Sequence, residues 1–228
     1  MSLPHPGRRA HRRASRFLHN VDYIVMSEDL ETLTKLEYLT AWRTWRVWMS
    51  ESGPTLHSVS TSAALGAWTP CEAMEARCGY LEMNPPACAC ESCPGDDTLC
   101  GIYAYREAPS TVHHEMGMVG QVALWGTVIE HDIGFRGQYA YPLSFTHGHC
   151  PWCGSASKPK LLPLDKAMVL LPETGEGWLG WVCSKHADKA LKQATVMDTL
   201  PEPKSWVVKP GLEVVKAIAE LYQVGIQT

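Results

Sequence analysis

The chain has 228 residues, room for one domain or two small ones at roughly 100–150 residues each. Hydrophobic residues make up 45%, enough for a buried core, and 19% are charged, below the roughly 25% of an average domain. A net charge of −4 excludes a globally basic nucleic-acid binder, and no run of about 18 apolar residues exists to make a membrane-spanning helix.

The opening residues have the charge of a signal peptide but not its apolar run, so the expected compartment is the cytoplasm. Thiols stay reduced there, and nine cysteines, an odd number, point to metal before disulfides. Residues 1–25 read as a flexible basic arm carrying Arg8, Arg9, Arg12, Arg13 and Arg16. Such an arm is either a solvated tail or a phosphate-contacting segment with salt-sensitive affinity.

A unit over residues 26–145 follows, a helix plus a β module. Ser27 can cap a helix, Glu28 and Asp29 suit its first turn, and Leu30, Leu33 and Leu36 line one face to about Leu39. From Trp42 to Met49 the residues favour a strand, with Trp42 and Trp48 on one face and Arg43, Trp45 and Val47 on the other. We read it as a buried strand whose arginines stack on neighbouring rings; a base-stacking platform is the functional alternative. A turn at Ser50–Pro54 leads to a partner strand over Thr55–Val59.

Residues 71–100 are a cysteine-rich insert: Cys71, Cys78, Cys88, Cys90, Cys93 and Cys100, among prolines and glycine that mark a loop. A loop poor in large apolar residues needs another source of order, and a metal supplies it. Four of Cys78, Cys88, Cys90, Cys93 and Cys100 are expected to hold Zn²⁺, with a [4Fe–4S] cluster as the alternative. His113, His114 and Glu115 follow; adjacent residues seldom face one ion in extended chain, so they read as surface polar groups or a supplement to the cysteines.

Cys100–Tyr105 is a short strand. Val119–His131 is the longest strand signal, with Gly126 marking a bulge, and Phe135–Tyr141 returns as a hairpin ended by Pro142. Glu130, His131, Asp132 and Arg136 gather at the tip. Glu130 or Asp132 is expected to pair with Arg136 across the turn; acid, base and anion clamp is the enzymatic alternative. The residues Cys100-Gly-Ile-Tyr-Ala104, Leu124-Trp-Gly-Thr-Val-Ile-Glu-His131 with Gly134 and Arg136, and Tyr139-Ala-Tyr-Pro142 resemble a signature in uncharacterised proteins of actinobacteria and their phages. The resemblance covers about 45 residues and implies a shared β module behind a cysteine-containing loop, with no activity attached.

Residues 146–200 form the second unit. Cys150-Pro-Trp-Cys153-Gly is a zinc-knuckle sequence, and Cys183-x2-His186 opens a helix whose apolar positions are Ala187, Ala190, Leu191 and Ala194. Two ligand pairs of this spacing satisfy one tetrahedral ion, with His147 and His149 as possible substitutes for His186. Strands over Ala167–Leu171 and Trp178–Val182 fit between the pairs. A knuckle, a hairpin and a ligand-bearing helix resemble the treble-clef class of zinc fingers. Leu171–Gly175 has the form of a sortase anchoring signal, but globular-looking sequence follows it, so we read a turn. Residues 201–228 hold a linker and a last helix from about Gly211 to Gln223, striped by Val214, Ile218, Leu221 and Tyr222.

The expectation is an α+β protein: a small, barrel-like antiparallel β module with a cysteine-rich metal loop, a treble-clef-like zinc module, and short peripheral helices. Two Zn²⁺ sites without a catalytic set point to a non-enzymatic adaptor or regulator binding a protein or nucleoprotein partner, with no membrane association. Direct DNA or RNA binding through Arg8–Arg16, Arg43, Arg46, Lys185, Lys189 and Lys192 is the first alternative. A metal-dependent hydrolase or nuclease using Glu130 and His131 is the second.

Overall fold

The tryptophan-rich stretch forms the middle of β1 (Leu39–Ser50), and the hairpin partner expected after it is β2 (Gly53–Ser58). Ser50 pairs with Gly53, so Glu51 and Ser52 alone make the turn. The computed structural model describes residues 37–59, 66–77, 93–95, 100–109, 117–150, 152–153, 160–172, 176–193 and 206–227. After β2 come three short strands: β3 (Ala67–Trp68), β4 (Met74–Glu75) and β5 (Ile102–Tyr105). Two long strands follow, β6 (Met118–His131) and β7 (Gly134–Cys150), then β8 (Lys160–Pro163), β9 (Ala167–Pro172), β10 (Gly177–Trp178) and β11 (Gly180–Cys183). Helix α1 (Ser184–Gln193), β12 (Trp206–Pro210), α2 (Gly211–Leu221) and β13 (Gly225–Ile226) complete the order.

Among the described residues the architecture is mostly antiparallel sheet with two short α-helices, in a ten-stranded and a three-stranded sheet. β1 pairs with β6, β6 with β7, β7 with β5, and β5 returns to β1 through Trp42 and Tyr105. The pairings close on themselves, as in a small barrel, which leaves these strands few free edges.

Alternation along β1 sets the core. Arg43, Trp45 and Val47 face inward, at 6%, 0% and 1% exposure. The Trp45 ring meets Trp68 and Phe145 edge-on, each at 5.7 Å and 89°, a favoured aromatic geometry. Buried so, Trp45 has no face to offer a nucleobase. Arg43 stacks over Trp68 and donates to the Tyr103 carbonyl and, at 2.9 Å, to Ser58 Oγ. On the other face Arg46 lies 5.7 Å from the centre of Trp178. Both arginines are therefore stacked on rings, as the sequence suggested.

Several expectations are corrected. Leu39 does not end a helix; it starts β1 and pairs with Leu124. The run Thr40–Thr44, rich in β-branched and aromatic residues, carries the extended backbone back to that point. The rest of the proposed helix and the basic arm lie outside the described residues. Nor does Pro142 end a strand, because β7 runs on for seventeen residues to Cys150. Pro142 stands where the register with β6 shifts, between Gln121 and Val122, and an irregularity tolerates a missing N–H.

The bulge at Gly126 is present, with φ at +73°. The register jumps from Trp125↔Tyr139 to Val128↔Gly137, and Gln138 Oε1 accepts from the Thr127 N–H at 3.2 Å. A Cβ at Gly126 would sit 2.7 Å from that oxygen.

Residues 178–182 are not one strand. β10 pairs with β1, Leu179 donates its N–H to the Val47 carbonyl at 2.9 Å, and β11 pairs with β9. One short segment thereby joins the two sheets. The three-stranded sheet, β11-β9-β12, is covered on both faces. Val169 and Leu171 pack into the main core with Trp181, Val215 and Ile218, while Leu170 and Val182 pack with Ala187 and Ala190 of α1. The sequence marked no strand at β12, β8, β4 or β3.

Helix α2 docks on the body through Val214, Val215, Ile218, Ala219 and Tyr222; Leu221, expected in that stripe, is 39% exposed. It ends in a Schellman pattern. Gln223 has φ +53°, its N–H reaches Glu220 O at 3.1 Å, and the Val224 N–H reaches Ala219 O at 2.9 Å. Tyr222 is fully buried; its hydroxyl accepts from the Leu56 N–H at 2.8 Å and donates to Trp68 O at 2.6 Å. Tyr141 donates to Tyr222 O and accepts from the Cys71 N–H, both at 2.8 Å. Burial pushes the Tyr141 phenol up to about 12 and the Tyr222 phenol higher, so both remain donors. Tyr222→Phe strands a buried N–H and a buried carbonyl while keeping the ring. It is expected to cost about 1–3 kcal/mol in urea unfolding at unchanged m-value; a loss below about 0.5 kcal/mol would contradict this role.

Candidate metal centre

Four side chains converge beside the smaller sheet. Cys150 is the last residue of β7, and Cys153 follows a turn closed by the Cys153 N–H to Cys150 O at 3.3 Å. Cys183 ends β11, and His186 lies in the first turn of α1. Their donor atoms all lie within 4.8 Å of one another, and among the described residues this is the one such group. Cys150 and Cys183 are buried; Cys153 and His186 are half-buried.

The sequence explains the convergence. Strand pairing of β9 with β11 brings Cys183 opposite Ala167, and Cys150 extends from β7 beside β8. Two residues between Cys183 and His186 place both donors on one side of the helix start. Leu162, Leu170, Val182, Ala187 and Ala190 form the apolar floor under the thiols.

The donor set fits a metal ion. Sulfur and nitrogen donors about 2.0–2.3 Å from a tetrahedral ion stand about 3.5–3.8 Å from each other. Here His186 Nδ1 is 3.6, 3.4 and 3.2 Å from the sulfurs of Cys150, Cys153 and Cys183, and the Cys153 and Cys183 sulfurs are 3.1 Å apart; the donors converge, more tightly than around an ion, and would part slightly to admit one. Burial, with the neighbouring sulfurs, pushes the Cys153 thiol up to about 12. Burial acts the same way on Cys183, but hydrogen bonds from Cys153, Cys150 and the His186 and Lys185 N–H groups outweigh it, so that thiol falls. Crowded thiolates repel one another, and a divalent cation at their centre reverses that repulsion. The cluster can therefore hold a metal ion such as zinc.

Trp152, between the knuckle cysteines, was not singled out from the sequence. Its ring lies 6.4 Å from the His186 ring, and Lys189 Nζ lies 4.6 Å above it. The tryptophan thus shields the imidazole edge of the site, and the only cue in the sequence was an aromatic between two ligands.

His147 and His149 do not join the cluster. Alternation along β7 turns both away from the face of Cys150. Burial holds the His149 imidazole down at about 4 and lowers His147, so both are neutral near pH 7. Cys93 is half-buried and Cys100 buried, and neither belongs to a described group of three ligands. Cys78, Cys88 and Cys90, the His113–Glu115 triplet and Arg8, Arg9, Arg12, Arg13 and Arg16 lie outside the described residues. Cys71 is exposed.

The hairpin tip also differs from expectation. Arg136 does not pair with Glu130 or Asp132; it donates to the buried Cys100 carbonyl at 3.0 Å and lies over Tyr103. Arg136 is in register with Ile129 and Glu130 with Phe135, so the two charges face opposite sides. Glu130 pairs instead with Arg106 at 2.7 Å, on the surface. His131 packs against Tyr103 at 5.8 Å. Lys185, Lys189 and Lys192 are all exposed on α1. Among the described residues no helix is long and apolar enough to cross a membrane.

No protein-family model, no curated protein and no solved structure matches this chain.

Cys183→Ser removes one donor while keeping the strand. It is expected to lower the metal content of the purified chain and its unfolding free energy by about 3 kcal/mol or more, roughly 6–12 °C in Tm at this length. Elemental analysis beside a thermal melt checks both; full metal retention would refute the ligand role.

Proposed function

We propose that this chain is a zinc-stabilised, non-enzymatic adaptor or regulatory protein that presents its β scaffold to a protein or nucleoprotein partner. The observation that carries this reading is the Cys150, Cys153, Cys183 and His186 set. Four protein donors fill a tetrahedron, and a filled site serves structure rather than a reacting water. Three thiols with one imidazole favour zinc among divalent ions. Bound there, zinc would cross-link the end of β7, the knuckle and the β11–α1 junction. A knuckle, a β9–β11 hairpin and a helix opening on a ligand support the treble-clef reading. A second ion, zinc or [4Fe–4S], drawn from Cys78, Cys88, Cys90, Cys93 and Cys100, belongs to the same proposal, as does a reducing, cytoplasmic setting.

Direct nucleic-acid binding is the second reading. It is favoured by the exposed lysines at positions 185, 189 and 192, spaced to share one side of α1, with the arginines of the N-terminal arm as reinforcement. A hydrolase centred on Glu130 and His131 has less support, because Glu130 is engaged by Arg106.

Metal content and an absorbance spectrum of the full-length chain, purified without air, test the first reading. About two zinc per chain and no colour would support it, and partner capture would follow. Iron with sulfide would reassign the cysteine-rich insert, and a chain without metal would overturn the reading. Binding of DNA or RNA that weakens steeply with salt, and by about one slope unit per lysine removed, is the result expected of the second.

A further inference from the structure

Thr146-His147-Gly148-His149 occupies the last part of β7, where β7 pairs regularly with β8: His147 with Pro163, Gly148 with Leu162, His149 with Leu161. On the other side His147 pairs with Val119 and Gly148 with Met118. Strand alternation then places His147 and His149 on one face and Cys150 on the other. Two residues of extended strand span about 6.6 Å, a distance across which two imidazoles can turn one nitrogen each to a shared ion.

Two further observations point to a ligand there. The Thr146 hydroxyl donates to the Val119 carbonyl at 3.2 Å. It also lies 2.7 Å from His147 Nδ1; with its single proton on the carbonyl it accepts from Nδ1–H, in the tautomer that leaves the lone pair on Nε2. An outer hydrogen bond of this kind is what orients metal-binding histidines. His149 is 97% buried, being 3% exposed, and among the described residues neither of its ring nitrogens has a hydrogen-bond partner. A buried imidazole normally satisfies both nitrogens, so the lone pair of His149 is open to a partner.

We propose that His147 and His149 form a second cation site, on the face of β7 opposite Cys150, that takes a divalent transition ion through His147 Nε2 and one ring nitrogen of His149. Neutral imidazole donors select Cu²⁺, Ni²⁺, Co²⁺ or Zn²⁺ over Mg²⁺ or Ca²⁺. Unlike the thiol-rich set, a pair of imidazoles leaves coordination positions for water or for an oxygen or nitrogen ligand from outside the protein. The site is independent of the adaptor reading and of the metal held by Cys150.

Equilibrium dialysis of the full-length chain against Co²⁺, with the ion counted by elemental analysis, tests the site. The near-ultraviolet thiolate-to-cobalt absorption, read in parallel, reports the cysteine site separately. Wild type is expected to bind one ion more per chain than either His147→Ala or His149→Ala, with the thiolate band equal in all three. Equal ion counts in wild type and His147→Ala would overturn the proposal. Should His149→Ala fail to fold, His147→Ala decides alone, since His147 is only half-buried and an unchanged thiolate band shows that the region stays intact. An absent thiolate band in every protein would refute the cysteine site and leave the count difference to judge the histidines.

Discussion

A strand of seventeen residues that is mostly buried needs partners for its backbone groups along both edges, and in β7 that requirement arranges the rest of the molecule. β6 runs along one edge for most of its length. The other edge is taken up in turn by β5, β4, β13 and β8. The C-terminal strand β13 thus meets strands from the middle of the chain on one strand. The same strand contributes Phe145 and Tyr141 to the core and ends at Cys150. The first donor of the metal cluster is therefore placed by the most heavily paired element in the fold, a rigid support for a ligand.

The second pair of donors is reached differently. Residues 177–183 change sheets at Leu179, holding to β1 on one side of it and to β9 on the other. Trp178 sits edge-on to Trp48 at 5.1 Å and to His57 at 5.0 Å, which secures the crossing. Cys183 and α1 follow immediately. The two halves of the metal cluster are thus anchored to the large sheet by separate routes, and the cluster closes a loop between them. An ion held there would act where those routes meet, at the knuckle and α1, more than in the β6–β7 hairpin.

β7 also shows how strand alternation separates chemistry. Cys150 and Gly148 face one way; His147 and His149 face the other. Four consecutive residues that look like a single ligand-rich run in the sequence serve two sides of a sheet. The same rule separates Glu130 from Arg136 and sends each to a different partner.

The sequence by itself determined the Cys150, Cys153, Cys183 and His186 cluster and the main strands. Ligand spacing and turn chemistry are local, so the two Cys/His pairs, the β1–β2 hairpin, the Gly126 bulge, α2 and most of α1 were legible from residues a few positions apart. Tertiary structure decided what local pattern cannot carry. Whether Pro142 stops a strand depends on whether the partner strand offers an irregularity to receive it. Whether residues 178–182 form one strand depends on which of two sheets lies beside each residue. Arg136 finds its partner in Cys100, thirty-six positions away, across a strand pairing that no periodicity reveals. β12 looked like linker because its pattern is weak, and only the open edge of β9 made it a strand.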